Sequence, residues 1–209
     1  MRAELFPPSY NLNTYPLRVT EFQSKVEIFG LFVLFLLQND YMDINAVTLK
    51  EECARLWKEV FGDSDEFISS FMEHFYTRDN MLYIAEKGRM SSMLHIVPFE
   101  QNGLKVAYMY AVATDYHARG KGYAKRLIRQ AIEKAERDGY KAIFTLPANE
   151  GLFGFYSQFG FKGKYPVEFE TPYDFDFGTG ETEKDLAMIL TLDNNYTMQS
   201  TGTLHVKKI

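Results

Sequence analysis

The 209-residue chain is poor in the residue types that build metal centres and covalent cross-links. It has one cysteine, Cys53, and four histidines, His74, His95, His117 and His205. One thiol cannot form an intrachain disulfide or a cysteine-based zinc site. The histidines are scattered and show no H-E-x-x-H spacing, so a metal enzyme is not expected, although carboxylate sites stay open. Positive charge is not in excess. Lys and Arg number 23 against 28 Asp and Glu, a formal charge of −5, which disfavours a nucleic-acid binder while leaving room for a local basic stripe. Long apolar runs are lacking too: Ile28 to Leu37 is too short to cross a bilayer as a helix, and no stable membrane insertion is expected. Neither the phosphate-loop pattern G-x-x-x-x-G-K-[ST] nor the dinucleotide-binding glycine spacing occurs. What is there is a globular composition, 46% hydrophobic and 24% charged, with 18 Phe and 14 Tyr to fill a core.

The chain divides into three parts by pattern. Residues 1–41 form an atypical N-terminal extension with Pro7-Pro8, Pro16 and the apolar run. A start of the native protein at Met42, an extra helix or strand, and a secretory or membrane element are the alternatives for it. Residues 42–193 read as one domain, and 194–209 as a polar tail with a Thr-rich, disorder-prone centre.

Within the domain, Thr48 and Glu51 make a capping box. Leu49, Cys53, Leu56, Trp57 and Val60 follow at helical spacing, and Gly62 ends that helix. A second helix carries Phe67, Ile68, Phe71, Met72 and Phe75 on one face. This aromatic stripe suits a core, and part of it suits the wall of a pocket. Met81–Glu86, Met90–Phe99 and Leu104–Thr114 read as an antiparallel meander, with an Asn102-Gly103 hairpin signal. A helix from about Gly120 to Asp138 and a strand at Ala142–Leu146 imply a parallel crossover. A short aromatic helix, Asn149–Phe159, and strands at Phe161–Phe169 and Ala187–Leu192 complete a mixed α/β arrangement.

The chemistry concentrates between the third strand and the long helix, in Arg119-Gly120-Lys121-Gly122-Tyr123-Ala124. This satisfies R-x-x-G-x-G/A. Glycines let the backbone approach a ligand closely, and the turn opens onto a helix N-terminus, where free amides and the helix dipole favour anions. Residues 117–141 hold eight Lys or Arg and three Asp or Glu, in keeping with a pyrophosphate cradle. A glycine turn before a solvated basic helix is the plainer reading of this segment taken alone. A second segment follows: Asn149, Tyr156, Gly160 and Phe161 fit N-x-x-x-x-x-x-Y-x-x-x-G-F.

The two segments, in this order and at this distance, resemble the GNAT superfamily of acetyl-CoA-dependent N-acetyltransferases, over about residues 42–192. The resemblance implies the α/β (α+β) GNAT fold, a mixed central sheet of about six to seven strands with helices on both faces. It implies acetyl-CoA as co-substrate, no metal, and a cytoplasmic acyltransferase that acetylates a primary amine of a small molecule. It further implies that the amides of Val112 and Thr114 line the pantetheine arm, that those of Arg119, Gly120, Lys121, Gly122, Tyr123 and Ala124 hold the pyrophosphate, that Asn149 hydrogen-bonds the pantetheine, and that Tyr156 is the general acid. Tyr156 taken alone also reads as a core tyrosine with a satisfied hydroxyl. Trp57 to Phe67, Ser92 to His95 and Val112 to Thr114 are similar to the enhanced intracellular survival branch. Members of that branch carry further domains, for which this chain ends too early.

A general base is less legible. Lys105 to Thr114 contains no Asp or Glu, where many relatives place a glutamate. His95 is a candidate base, with a core or edge histidine and a water relay as the alternatives. Tyr116 stands where many relatives have proline, and His117 reads as solvated. Residues 165–185 carry seven acidic residues and one lysine among Phe and Tyr, either an exposed acidic loop or a wall for a cationic amine. Acylation of a protein N-terminus or lysine, and a coenzyme A-binding sensor without catalysis, remain alternatives. So does a homodimer.

Overall fold

A computed structural model describes residues 46–173, 175–178, 185–194, 196 and 202–209. The readings of the N-terminal extension lie outside the described residues. Helix α1 spans Ala46–Phe61 and buries Leu49, Cys53, Leu56 and Trp57, the three-and-four spacing that puts one helical stripe on a core. It begins two residues before Thr48, so the expected capping box lies inside the first turn. Apolar periodicity locates a helix better than it locates its ends. Gly62 closes the helix at φ 77°, its N–H donating to the Lys58 carbonyl at 3.0 Å. Helix α2, Asp65–His74, is capped by Ser64, whose Oγ accepts from the Phe67 N–H at 3.2 Å.

Strands β1 (Met81–Glu86), β2 (Arg89–Gln101) and β3 (Leu104–Thr114) form the expected meander. Asn102 and Gly103, with φ of 53° and 76°, make the tight turn between β2 and β3. Helix α3 (Tyr123–Arg137) then carries the chain to β4 (Ala142–Thr145), which runs parallel to β3. Helix α4 (Glu150–Ser157), β5 (Lys162–Glu170) and β6 (Leu186–Thr191) follow. Helices α1 and α2 cover the sheet face that holds Tyr108 and Tyr110. Helix α3 packs on the face of the alternate residues, with Leu127, Ile128, Ala131 and Ala135 buried.

The tail departs from expectation. Leu204–Lys208 forms β7, parallel to β5 and antiparallel to the end of β2 through Phe99–Lys208 and Glu100–Lys207. Leu204 and Val206 point inward, whereas His205 and Lys207 point outward. Two apolar residues are too few to mark a strand in sequence, and its partners lie far away in the chain. The seven-stranded order β1-β2-β3-β4-β6-β5-β7 thereby returns to β2. Aromatic side chains fill the inside: Tyr108 stacks on Phe144 at 4.7 Å and 3°, and Phe99, Phe169 and Phe177 surround them.

Candidate active site

The sheet opens where β3 and β4 part. They pair only from Val106 to Tyr108 and from Ala142 to Phe144. Beyond that, β3 carries an extra residue. Met93 faces Ala113 and His95 faces Tyr110, so Ala111 and Val112 bulge opposite Leu94. Ala111 sits at φ 49°, a left-handed conformation that a residue with a Cβ adopts only when its surroundings impose it. The bulge turns peptide groups out of the ladder at the gap, where β4 offers no partner.

A cavity of about 300 Å³ occupies this gap. Met109, Ala111 and Val112 of β3 line it, as do Thr145 at the end of β4, Leu146 after it, Leu152 and Tyr156 of α4, and Trp57, Asp63 and Phe67 from the α1–α2 region. The stripe on α1 and α2 therefore does two jobs. Leu56, Phe71 and Phe75 belong to the core, whereas Trp57 and Phe67 also wall the cavity.

Tyr156 reaches the cavity from a 5% exposed position. The Thr145 hydroxyl lies near its phenol, with Thr145 Oγ1 donating to the Met109 carbonyl at 3.1 Å. Burial pushes the phenol up to about 12, and the Thr145 hydroxyl opposes this only in part. At neutral pH Tyr156 is a protonated donor aimed into the gap.

The glycine turn lies just past the end of β3. Asp115 anchors its start, accepting from the His117 N–H at 2.9 Å and lying 3.5 Å from Arg89. The His117 amide, aided by Arg89 and Arg55, holds the Asp115 carboxyl below the usual range. Gly120 and Gly122 have φ of 80° and 82°, and a Cβ added to either would meet no protein atom within 4 Å. Helix α3 starts at Tyr123, and its first internal bond runs from the Arg126 N–H to the Gly122 carbonyl at 3.0 Å. The N–H groups of the first helical turn have no i−4 acceptor within the helix. These glycines, the N-terminal end of the helix and the neighbouring cations fit a pyrophosphate. Glu86 of β1, which sequence reasoning did not single out, accepts from Tyr123 Oη at 2.7 Å and pairs with Lys121 at 2.9 Å. Lys121 and Tyr123 together hold its carboxyl low.

Asn149 is the N-cap residue of α4, yet its side chain makes no capping hydrogen bond. Its exposed carboxamide is thus available beside the cavity wall formed by Ala148 and Leu152. Thr114 ends β3 with its Oγ1 2.9 Å from Ser92 Oγ, between the bulge and the turn. Val112 and Tyr156 thus line the gap, Thr114 and residues 119–124 lie at and beyond the end of β3, and Asn149 stands next to the cavity-lining Ala148.

His95 is not brought to this line. It is fully buried among Trp57, Phe71 and Tyr76, its Nε2 is 3.6 Å from Cys53 Sγ, and its Nδ1 has no partner among the described residues. Burial pulls its pKa down to about 3 and pushes the Cys53 thiol up to about 12. The imidazole is neutral and shut off from the cavity. Among the described residues no cluster of His, Cys, Asp or Glu is placed to hold a metal ion, and no helix is long and apolar enough to cross a membrane.

Comparison with known proteins agrees with this geometry. The Escherichia coli GNAT family N-acetyltransferase YhbS, solved in complex with CoA, superposes with a TM-score of 0.55 at 21% identity, covering 77% of this chain and 84% of that one. A GNAT family acetyltransferase from Brucella melitensis, in complex with acetyl-CoA, gives 0.51 at 17% identity, covering 75% and 87%. An aminoglycoside 6′-acetyltransferase type Ii gives 0.52 at 16%, covering 75% and 98%. At these identities the likeness shows the fold. A search of curated proteins returns no match. The acetyltransferase (GNAT) domain family matches residues 47–163, more than half of the chain and the whole run from α1 through the bulge, the glycine turn and Tyr156, so this protein belongs to that family and is an acyltransferase.

Proposed function

We propose that the protein is a cytoplasmic enzyme that transfers an acetyl group from acetyl-CoA to a primary amine of a small molecule. The observation that carries this reading is the bulged gap between β3 and β4, with strained Ala111 on one wall and protonated Tyr156 on another. Bound acetyl-CoA supplies the activated thioester. The amides of residues 120–124 hold its pyrophosphate, the Arg119 N–H being bonded to the Tyr116 carbonyl at 3.3 Å, and the Val112 and Thr114 amides with the Asn149 carboxamide orient the pantetheine arm. An amide of the Ala111–Val112 bulge faces the oxygen on which negative charge grows as the amine attacks. Removing one such donor costs about 3 kcal/mol of barrier in other enzymes. A C–N bond forms and the C–S bond breaks. Tyr156 donates to the departing sulfur, and the amine proton leaves to water in the cavity. His95 takes no part as base, because its ring is sealed and resists protonation.

The test is calorimetric titration with acetyl-CoA, with ATP and NAD as controls, followed by release of free thiol over an amine panel. Selective acetyl-CoA binding and amine-dependent thiol release are expected. Binding without turnover on every small amine, with turnover on a protein lysine or N-terminus, would replace the acceptor class. Binding without any turnover would point to a coenzyme A sensor.

A further inference from the structure

The cavity has an uncompensated charge. Its two charged lining residues are Asp63 and Asp176, and no Lys, Arg or His lines it among the described residues. Elsewhere carboxylates meet cations: Glu52 with Arg55 at 2.9 Å, Glu86 with Lys121 at 2.9 Å, Asp193 with Lys141 at 2.7 Å, and Glu150 with Lys164 at 2.8 Å. The two cavity aspartates are held by neutral donors instead. Asp63 Oδ2 accepts from Trp57 Nε1 at 2.7 Å, and Asp176 Oδ1 accepts from the Gly178 N–H at 2.8 Å. A neutral donor fixes a carboxylate without cancelling its charge. Asp176 is held in place by its neighbours as well, because Phe175 and Phe177 are buried and leave it outward between them.

Tyr110 is an independent pointer. It is 9% exposed and lines the cavity, yet its hydroxyl makes no hydrogen bond among the described residues. Both aspartates act on it electrostatically. An unpartnered hydroxyl, two anchored carboxylates and the indole of Trp57 form a receptor for an ammonium group.

That group is not the reacting nitrogen. Nucleophilic attack needs a neutral amine, and a carboxylate partner favours the charged form of whatever amine it binds. Two anchored carboxylates that together hold one nitrogen as an ammonium keep it charged, which suits a nitrogen other than the one that attacks. Resting on the acetyltransferase reading above, we propose that Asp63 and Asp176 bind a second ammonium group of the acceptor, so that the preferred substrates are di- or polyamines.

The probes are 1,5-diaminopentane and n-pentylamine, which match in length and differ by one charge. With the full chain, the diamine is expected to exceed the monoamine in kcat/KM by about tenfold or more, the usual worth of a hydrogen bond to a charged group. D63N and D176N keep acceptors for the Trp57 and Gly178 N–H groups, so the fold is retained, and each is expected to shrink that ratio toward one through the KM of the diamine. Trp57 is the only tryptophan of the chain, so its emission reports binding at Asp63 without turnover. A saturable response to the diamine and not to the monoamine is expected, lost in D63N. Equal kcat/KM for the two amines, a ratio unchanged in both variants, or no saturable response to the diamine overturns the proposal. A diamine response without acetyl transfer leaves the ammonium site in place and sinks the catalytic reading instead.

Discussion

Replacing Tyr156 by Phe removes one oxygen from the centre of the site and little else. The neighbouring Thr145 hydroxyl keeps its bond to the Met109 carbonyl at 3.1 Å, so the change orphans no donor there and the stability loss should be about 1 kcal/mol. The catalytic loss can be worked from the environment. A well-matched general acid contributes about 10²–10⁴-fold. Tyr156, pushed up to about 12 by burial, is more than three units weaker than a thiol of pKa ~8.5, so full proton transfer to the departing sulfur is uphill. Its contribution is a hydrogen bond that strengthens as charge builds on sulfur, and Y156F should therefore lower kcat about tenfold to a hundredfold, ~1.4–2.7 kcal/mol. The Kd for acetyl-CoA should stay within about twofold. The same shift sets the alkaline behaviour: the wild-type rate should show no tyrosine-linked fall near pH 10, where an ordinary phenol titrates. The assay is thiol release at saturating amine from pH 7 to 10.5, with acetyl-CoA affinity measured by calorimetry. A kcat for Y156F within twofold of wild type would refute the donor role.

Gly122 separates strain from bulk. A Cβ there meets nothing within 4 Å, so G122A should cost only the left-handed strain of about 1–2 kcal/mol and keep measurable acetyl-CoA binding, whereas G122E places bulk and like charge at the α3 N-terminus and should abolish it. Retained binding by G122E in calorimetry would undo the cradle. Tyr108, Tyr110 and Tyr156 are all held above the ordinary phenol range by burial. Above pH 10 the unfolded chain has released these protons and the folded chain has not, so urea stability should fall as pH rises, by about 1.4 kcal/mol per pH unit for each. His95 acts at the other end. Its folded pKa of about 3 lies below the unfolded 6.5, so its stabilising share is complete above pH 6.5 and is lost as pH falls toward 3. H95L should flatten that acid slope in urea titrations while keeping kcat at pH 8; a large loss of kcat in a folded H95L would return the histidine to the chemistry.

Much of this protein is legible in its sequence because the relevant physics is local. Three-and-four spacing on α1 and α3, alternation on β3, the Asn102-Gly103 turn and glycines at Gly120 and Gly122 each depend on near neighbours in the chain, and the structure keeps those elements to within a few residues. The order of the R-x-x-G-x-G/A and Asn149–Phe161 segments carried the family. The tertiary structure decided what depends on distant partners. Strand β7 exists because Leu204 to Lys207 find β5 and Lys207 and Lys208 find β2, a pairing that no local pattern marks. The bulge at Ala111 comes from a register shift against β2, and alanine is not a residue that announces a left-handed backbone. His95 and Asp63 exchange standing for the same reason. A histidine amid apolar neighbours can face a core or a cleft, and burial beneath Trp57 and Phe71 settles it inward. An aspartate after a helix-ending glycine looks like an ordinary turn residue until the fold sets it, beside Trp57, on the wall of the gap between β3 and β4.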